Sequence, residues 1–557
     1  MPTTSATHIP RIRLGYASLI AIIVLLTAPT GAEEPTVLWT ANGAENVVCI
    51  APFVDVDGDG GPDVLFESYD AGASGPYHLY CIRGNSHGSG EVLWGAWPSG
   101  GLSNGGGYGD NCLRTVPDLT GDGAKDVLLG TAWGGRSAYV LDGTQGSQVE
   151  WTFDTYADSP PVPPESGWVY AVDWIGDVTG DQRAEVAFVT GNYNRSVYLA
   201  DGESGAILWR YTYQAPFFEV RNAGDVDGDG YDDIVAGAGD TYPLLVCLSG
   251  PGQAAIPDVH WQLDYPHTVM SIVPLPSIDG DDRPEVVAAC WDGYVRCHDG
   301  ATGVVHWTSD NLSVSIQRIA RIADVNENGT PDIVAGLWDN RVVVLEGATG
   351  TTLWVQWVGA LNGGDTWAVD GAGDVTGDGI GEVAVGSFDT HVYLMDGTDG
   401  RILWAYPTGN RLLTVRGVPD LNGNGTPDIV AGTQMLSGSG GRVYALDGAL
   451  PGADLVAPAP GVSRALELWP NPVSRHTAAL QWMTQPEEAG RLIFEIVSVD
   501  GRTRLRASAG GATGKAPATG RLSLCDRDGT PLPAGCYWVR AQLEGEPWAK
   551  RRFLVID

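Results

Sequence analysis

The chain has 557 residues, of which 43% are hydrophobic, so its length and composition allow a large buried core. Aspartate and glutamate together number 68 against 32 lysines and arginines, which gives a formal net charge of -36. Because a chain this acidic repels phosphate backbones and anionic lipid surfaces, its charge argues against nucleic acid as a partner.

The N-terminal segment 1–32 has the pattern of a secretory signal peptide. Arg11 and Arg13 precede an apolar run over residues 14–26, and the small residues 30–32 offer a cleavage site. The apolar run is shorter than the roughly 18 residues that a membrane span needs. We expect a mature chain without a transmembrane segment, secreted or held on the outer cell surface. An uncleaved anchor is the alternative.

Residues 55–63 form a loop with oxygen-bearing side chains at positions one, three, five and nine and with glycine at position six. Alternate residues of a tight loop point to one side, so these oxygens converge as they do around calcium. An EF-hand would need a glutamate at position twelve and a helix on each side. Here an apolar, strand-like segment follows at once, and the sequence predicts a strand-loop-strand calcium site.

The nine-residue pattern occurs eight times, which indicates a repeat architecture. The copies start at Asp55, Asp118, Asp177, Asp225, Ser277, Asp324, Asp374 and Asp420. The residues expected to bind several calcium ions are Asp55, Asp57, Asp59, Asp63, Asp118, Thr120, Asp122, Asp126, Asp177, Asp181, Glu185, Asp225, Asp227, Asp229, Asp233, Asp324, Asn326, Asn328, Asp332, Asp374, Asp378, Glu382, Asp420, Asn422, Asn424 and Asp428.

The eight loops differ in their expected affinity for calcium. Those at Asp55 and Asp225 have four carboxylates each, whereas others replace an acid by threonine or asparagine and lose charge. Two loops have another residue where glycine is wanted, Gln182 and Asp282, and these two are the most prone to be empty. For all eight we expect a structural role in stiffening the repeat.

A second signature follows each loop, namely a strand, an Asp-Gly type turn and a strand that closes with tryptophan. Four strands in each repeat of about 50 residues, without helical periodicity, are typical of a propeller blade. The closing tryptophans number eight: Trp39, Trp94, Trp151, Trp209, Trp261, Trp307, Trp354 and Trp404. The first precedes every loop, and the last repeat lacks a tryptophan strand. Segment 36–39 is therefore expected to close the ring as the outer strand of blade eight.

Charged residues recur on the strand before each loop. Because side chains alternate along a strand, they point away from the apolar neighbours that face the packed sheets. The candidates for the central channel are Arg114, Asp173, Arg221, Asp370 and Arg416, and Glu219 and Arg318 lie on the same side at the position two residues earlier in their strands. They could form a salt-bridged plug, or a polar site whose arginines bind carboxylates or sugar hydroxyls. Trp168, Phe218 and Trp367 lie near one mouth, where they could stack on sugars or only pack.

The chain after the repeats divides into a Pro-, Ala- and Gly-rich linker and a small β-rich domain. The predicted organisation is all-β: a signal peptide (1–32), an eight-bladed β-propeller (33–448), a linker (449–464) and a C-terminal β-sandwich (465–557).

The loops resemble the FG-GAP repeats of integrin α-subunit propellers, and the tryptophan hairpins resemble the repeats of pyrroloquinoline-quinone-type eight-bladed propellers. The tail, with Trp469–Pro472, residues 492–506 and 532–539, is similar to the sorting domain of type IX secretion cargo or to an immunoglobulin-like tail. The resemblance to FG-GAP repeats implies that the loops bind calcium, and the resemblance to the sorting domain implies export of the protein across the outer membrane. They imply little about activity. The adjacent-cysteine pair expected of quinone dehydrogenases is absent from the sequence, which argues against a quinone cofactor.

The eight cysteines suit an oxidising compartment, where Cys49 could pair with Cys112 and Cys525 with Cys536. The leading hypothesis is a monomeric binding or adhesion module for an extracellular protein or polysaccharide, with no catalytic residue assigned. The alternative is a calcium-dependent polysaccharide lyase or hydrolase. It would use Asp173 or Asp370 with Arg221.

Overall fold

In the computed structural model, every regular element among the described residues is a β-strand. The structure describes residues 34–43, 45–69, 77–97, 110–132, 135–146, 148–158, 167–251, 255–359, 365–435 and 440–450, and the strands of the C-terminal part. The predicted signal peptide, nearly all of the linker and the side chains of Cys525 and Cys536 lie outside these residues. No helix among the described residues is long and apolar enough to cross a membrane.

The repeats form an eight-bladed β-propeller, and blades 1 to 7 are antiparallel sheets whose strands follow chain order from the inside outward. Blade 1 contains Asn46–Pro52, Val64–Tyr69, Leu79–Ile82 and Val92–Ala96. Blade 2 contains Leu113–Val116, Asp126–Gly130, Ser137–Leu141 and Val149–Asp154. Blade 3 contains Val169–Ile175, Glu185–Thr190, Ser196–Ala200 and Ile207–Thr212. Blade 4 contains Phe217–Gly224, Asp233–Ala238, Leu244–Leu248 and Val259–Asp264.

The second half of the ring repeats this arrangement. Blade 5 contains Val269–Leu275, Glu285–Cys290, Val295–His298 and Val305–Thr308. Blade 6 contains Ile316–Arg321, Ile333–Leu337, Arg341–Leu345 and Thr352–Trp357. Blade 7 contains Thr366–Gly373, Glu382–Ser387, His391–Met395 and Ile402–Pro407. Blade 8 contains Leu412–Val418, Asp428–Thr433 and Arg442–Leu446. The N-terminal strand Val37–Asn42 pairs antiparallel with Arg442–Leu446, and Gly88–Ser89 adds a short parallel pairing to its outer edge.

The hydrophobic core lies between neighbouring blades, where the apolar faces of two sheets pack together. One cluster joins blades 3 and 4 and includes the fully buried Trp209, Phe217 and Ile234. The second strand of a blade is buried along its whole length, as in Asp233–Ala238, because a neighbouring blade covers each of its faces. Outer strands such as Val259–Asp264 bury the closing tryptophan and leave their other positions partly or fully exposed, as expected of an edge strand with one wet face.

The closing tryptophans connect each blade to the next. In all eight cases the indole Nε1 donates a hydrogen bond to the carbonyl oxygen of the glycine in the turn that follows the third strand of the next blade. The pairs are Trp39 with Gly84 (2.7 Å), Trp94 with Gly143 (3.1 Å), Trp151 with Gly202 (2.8 Å), Trp209 with Gly250 (3.0 Å), Trp261 with Gly300 (2.7 Å), Trp307 with Gly347 (2.9 Å), Trp354 with Gly397 (2.8 Å) and Trp404 with Gly448 (3.4 Å).

The turn glycine is required by close packing rather than by an unusual backbone angle. At Gly250 a Cβ atom would collide with the carbonyl oxygen of Asp232, which precedes the second strand of the same blade. The corresponding Gly300 meets the carbonyl oxygen of Pro284 in the same way. Glycine at this position therefore lets the turn lie against the end of the nine-residue loop and leaves its own carbonyl directed at the tryptophan.

The C-terminal part contains two further sheets. Leu466–Trp469, Ala479–Thr484 and Thr519–Ser523 form a three-stranded sheet. Val473–Ser474, Glu546–Ile556, Gly535–Leu543, Arg491–Ser498 and Thr503–Gly510 form, in that order, a five-stranded sheet. All pairings in the two sheets are antiparallel except that between Val473–Ser474 and Glu546–Ile556.

Candidate functional site

The inner strands of the eight blades enclose a central channel that a layer of polar side chains divides into two cups. All five channel candidates from the sequence line the cup at the end where the inner strands finish, a cavity of about 300 Å³. The opposite cup, of about 460 Å³, lies where the inner strands begin. Asp110, Asn111 and Arg318 line both cavities and hence separate them.

The dividing layer, which we call the septum, consists of Asp110, Asn111, Glu219 and Arg318. Arg318 extends from blade 6 to Glu219 of blade 4, with 3.5 Å between Nη1 and Oε2, and its Nε lies 3.9 Å from Asp110 Oδ2. The amide of Asn111 donates to Glu219 Oε2 at 2.5 Å. Glu219 and Asp110 are almost completely buried, with 1% and 3% exposure. The septum is therefore a cross-ring network that ties blades 2, 4 and 6 together.

The remaining charged residues of the channel extend the septum by ion pairs. Arg416 Nη1 lies 2.8 Å from Asp110 Oδ2, and Arg221 Nη2 lies 2.7 Å from Glu219 Oε1. Arg114 Nη2 donates to Asn111 Oδ1 at 3.2 Å, and its Nε lies 3.9 Å from Asp173 Oδ1. The four arginines Arg114, Arg221, Arg318 and Arg416 thus face the four carboxylates of Asp110, Asp173, Glu219 and Asp370, and Arg321 adds a fifth positive charge to the lining of the loop-side cup.

Burial and pairing shift the pKa values of these groups in different directions. Burial tends to raise the pKa of Asp110, but the charges of Arg416 and Arg318 and the hydroxyl of Thr414 hold it below its ordinary value. Burial raises the pKa of Glu219 despite its arginine neighbours, and it raises that of Asp370 to about 6. Burial, together with the charge of Arg221, lowers the pKa of Arg114 to about 10. Asp110 is thus the carboxylate most firmly held in its charged form.

The cup on the far side of the septum is aromatic and receives residues from every blade. Its lining residues are Val48, Asp110, Asn111, Tyr170, Phe218, Glu219, Met270, Trp291, Gln317, Arg318, Trp338, Trp367 and Leu413. Tyr170 stacks on Phe218 with centroids 5.3 Å apart, and Trp291 lies 5.5 Å from Trp338. Trp338 is 41% exposed. We call this cavity the aromatic cup; its walls are apolar and its floor is the polar septum.

Sequence reasoning found part of this cup. Phe218 and Trp367 line it, whereas Trp168 packs against Tyr170, with centroids 6.3 Å apart, and does not itself line it. Trp291 and Trp338 were missed because each directly follows a second strand, at a turn rather than on an inner strand. Asp110 and Asn111 were missed because they precede the short inner strand of blade 2, outside the alternation that identified the other channel residues.

The nine-residue loops lie at the end of the channel opposite the aromatic cup, since each follows the finish of an inner strand. In the loop at Asp225, the first aspartate accepts hydrogen bonds from Gly228 N at 2.6 Å and Gly230 N at 3.0 Å. Carboxylate oxygens converge in Asp55–Asp57–Asp63, Asp177–Asp181–Glu185 and Asp225–Asp227–Asp229, with one oxygen of each residue within 4.8 Å of the others. These oxygen-rich donor sets fit a hard cation.

The acid at position nine of the loop also accepts hydrogen bonds from backbone N–H groups, a role that the sequence pattern did not predict. Asp233 Oδ2 accepts from Val226 N at 3.0 Å, and its Oδ1 accepts from the turn glycine Gly250 N at 3.2 Å. Asp63, Asp332 and Asp428 make the same two kinds of contact in their blades. The ninth residue therefore joins the loop to the turn whose glycine accepts the tryptophan hydrogen bond.

Position six of each loop adopts a left-handed backbone, which explains the preference for glycine there. Gly230 has φ of 93°, and the two exceptions noted in the sequence, Gln182 and Asp282, have φ of 72° and 66°. A side chain in this region costs roughly 1–2 kcal/mol. In blade 3 the three acids Asp177, Asp181 and Glu185 nevertheless converge around the strained Gln182.

Comparisons with known proteins support the fold and the repeat type. A family model described as outer membrane protein assembly factor BamB matches residues 291–454, less than half of the chain. That match confirms the predicted likeness to quinone-type propeller repeats over blades 5 to 8. No curated protein matches the sequence.

Several solved structures resemble the chain. Sqt1 of Saccharomyces cerevisiae has 12% identity and a TM-score of 0.51 over 74% of this chain and 99% of that chain. The computationally designed Ika8 protein has 13% identity and a TM-score of 0.49 over 74% and 99% of the two chains. The C-terminal WD40 domain of Sif2 has 14% identity and a TM-score of 0.48 over 74% and 98%. At such identities the likeness to Sqt1 shows the propeller fold alone.

The buried ion pair of the septum is testable with a matched surface pair. Arg416–Asp110 (2.8 Å) and Arg210–Asp158 (2.9 Å) have nearly the same N–O distance, but the aspartate side chain is 2% exposed in the first and 39% in the second. We expect Asp110→Asn to lower the free energy of unfolding by about 3–5 kcal/mol, because Arg416 loses its buried counter-charge. Asp158→Asn should cost at most about 1 kcal/mol.

Chemical denaturation of both variants at several pH values measures the two losses. The pKa of folded Asp110 lies below the unfolded value of about 3.9, so its contribution is complete at neutral pH and is lost as the pH falls through the folded value. Equal losses for the two variants at neutral pH would contradict the assignment of the septum as a cross-ring clamp.

Proposed function

We propose that the protein is a binding module whose aromatic cup takes a sugar ring of an extracellular polysaccharide. The observation that carries the proposal is the construction of the cup, with aromatic walls above a floor of paired polar groups. A sugar ring has one apolar face, which stacks on indole or phenol rings, and a periphery of hydroxyls, which needs donors and acceptors. Few other neutral ligands combine these two requirements in a volume of this size.

The floor of the cup offers both kinds of hydrogen-bonding group. Arg318 presents guanidinium donors, and Glu219 presents carboxylate acceptors. Among the described residues, Gln317 Oε1 has no hydrogen-bond partner although the residue is only 4% exposed. Because a buried polar atom left unsatisfied is costly, a ligand hydroxyl that donates to Gln317 would be bound favourably.

The aromatic wall is tested by two tryptophans of equal exposure. Trp338 lines the cup and is 41% exposed, whereas Trp357 lies on the outer strand of blade 6 and is 43% exposed. We expect Trp338→Ala to weaken oligosaccharide binding at least about tenfold, which corresponds to about 1.4 kcal/mol of lost stacking. Trp357→Ala should leave binding unchanged. A panel of neutral and acidic oligosaccharides, followed by titration calorimetry, provides the measurement.

The enzymatic alternative is distinguished in the same experiment. Its support is Asp370, whose pKa of about 6 would suit a general base, in the cup on the loop side of the septum. An enzyme would release new chain ends from a polymer over time, and that release would be lost in Asp370→Asn but not in Trp357→Ala. No binding and no release with any member of the panel would overturn the sugar-binding proposal.

We also propose that the nine-residue loops bind calcium and stiffen the blades. The converging carboxylates and the likeness to FG-GAP loops support this assignment. An ion of the same kind in several loops would also neutralise part of the net charge of -36. Since position nine is joined to the turn that receives the tryptophan, ordering of a loop would be transmitted to the contact between blades.

Calcium binding is tested in blade 4 with Asp225→Ala and, as a control, Asp264→Ala, an exposed aspartate at the end of the same blade. The measured quantity is the rise in melting temperature on going from chelator to calcium. When free calcium is at about 100 times the Kd of a site, its binding raises the free energy of unfolding by about 2.7 kcal/mol. Asp225→Ala should lose part of this rise and Asp264→Ala none. An equal stability loss in calcium and in chelator would show that Asp225 acts only through its backbone hydrogen bonds.

We further propose that the N-terminal strand completes blade 8 and closes the ring. Its support is the pairing of Val37–Asn42 with Arg442–Leu446 and the contact of Trp39 with Gly84 of blade 1.

Trp39→Phe and Trp209→Phe are matched, since both tryptophans are completely buried and each donates to a turn glycine of the next blade. We expect both to lower the free energy of unfolding by a similar amount, about 1–3 kcal/mol, because each leaves a buried carbonyl unsatisfied. Thermal and denaturant unfolding compare them. A cost for Trp209→Phe with none for Trp39→Phe would contradict closure by the N-terminal strand.

The proposed location is the outer cell surface or the medium. The signal-peptide pattern and the likeness of residues 465–557 to a type IX sorting domain support export, and the described name of the matched family is compatible with an outer-membrane setting. The two C-terminal sheets are proposed to pack as the predicted sandwich.

A further inference from the structure

A compact cluster of two thiols and one carboxylate lies at the junction of blades 1 and 2. Cys49 is on the inner strand of blade 1, Glu67 is on its second strand, and Cys112 directly precedes the inner strand of blade 2. The two sulfur atoms are 3.1 Å apart, and Glu67 Oε2 lies 3.3 Å from Cys49 Sγ and 3.2 Å from Cys112 Sγ. All three residues are completely buried. The three donor atoms form a nearly equilateral triangle.

The sequence suggests that Cys49 and Cys112 could form a disulfide, but the arrangement of the three donor atoms suits a metal ion better. A disulfide has an S–S length of about 2.05 Å, and both cysteines are present here as thiols. A disulfide would also remove the two S–H groups from which Glu67 Oε2 now accepts hydrogen bonds. A carboxylate that lies equally close to both sulfurs serves no purpose in a disulfide, whereas it supplies a third ligand to a metal ion.

We propose that Cys49, Glu67 and Cys112 bind a zinc ion that is incorporated as the chain folds. Thiolates are poor ligands for calcium but good ones for zinc, which also accepts carboxylate oxygen. Binding releases the proton of each thiol, so two thiolates and one carboxylate surround the dication. With Zn–S bonds of about 2.3 Å, tetrahedral geometry places the sulfurs about 3.8 Å apart, which requires them to separate by only about 0.7 Å.

The surroundings of the triangle fit a structural metal site. His78 Nδ1 lies 3.9 Å from Glu67 Oε1, the oxygen that does not face the sulfurs, where an imidazole can orient a ligating carboxylate. The complete burial of the ligands leaves no path for substrate, so the ion would be structural. The ion would join blade 1 to blade 2 immediately beside Asn111 of the septum. The zinc proposal does not depend on the sugar-binding proposal.

The first test uses the wild-type mature protein, produced in zinc-containing medium and treated with chelator in its folded state. After calcium has been added in excess to occupy carboxylate loops, elemental analysis should find one zinc per chain, and unfolding in chelator should release it. Protein refolded with cobalt(II) alone should show thiolate-to-cobalt charge-transfer absorption, which carboxylate loops cannot produce. These readouts require no variant to fold.

The second test assigns the ion to the triangle. Cys49→Ser and Cys112→Ser should each reduce the zinc content from one per chain to none and abolish the cobalt charge-transfer band. Cys247→Ser, which changes an equally buried cysteine in blade 4, should change neither. Peptide mapping of the wild-type protein that finds Cys49 joined to Cys112 by a disulfide would overturn the proposal. Cys49 and Cys112 both present as thiols in protein without metal would overturn it in favour of a hydrogen-bonded pair.

Discussion

The contact between one blade and the next is the constraint on which this structure depends. A single four-stranded sheet cannot bury both of its faces, so each blade is stable only when its neighbours cover it. The indole of each closing tryptophan fills this contact and donates to a turn carbonyl of the next blade. That carbonyl is correctly placed only because glycine lets the turn lie against the end of the nine-residue loop. Loop, turn and tryptophan are therefore one mechanical unit, repeated eight times.

The position-nine acid shows how this unit relates to metal binding. Asp233 is completely buried and uses both carboxylate oxygens to hold backbone N–H groups of the loop and the turn. In blades 4 and 5 a histidine precedes the closing tryptophan and lies against this acid, as His260 does at 3.1 Å from Asp233. The loops thus have a framework of hydrogen bonds of their own. A bound cation would strengthen this framework rather than create it.

The periodic part of the fold could be predicted from the sequence, and the cross-ring contacts could not. Loops, turns and tryptophans recur at fixed spacing, so their strands and the blade number follow from local pattern alone. The alternation of inner strands also identified residues such as Arg221 and Arg416 that line the channel. The pairing of Asn111 with Glu219 joins residues 108 positions apart across the ring, and no local pattern encodes such a distance. The sequence brought Cys49 and Cys112 together as a possible pair, but Glu67, the third member of their triangle, could be recognised only in the structure.

The charge balance of the septum favours a neutral ligand over an anionic one for the binding proposed in the aromatic cup. Two arginines beside the septum are already paired, Arg416 with Asp110 and Arg221 with Glu219, in a setting where separating a buried pair costs several kcal/mol. A carboxylated ligand would have to displace one of these internal carboxylates while approaching a protein of net charge -36. A neutral ring bears neither cost, because it can stack on Trp338 and Trp367 and hydrogen-bond to the septum without separating its ion pairs. The salt-bridged layer and a ligand site, which from sequence were alternatives, are therefore compatible, because the first would form the floor of the proposed second.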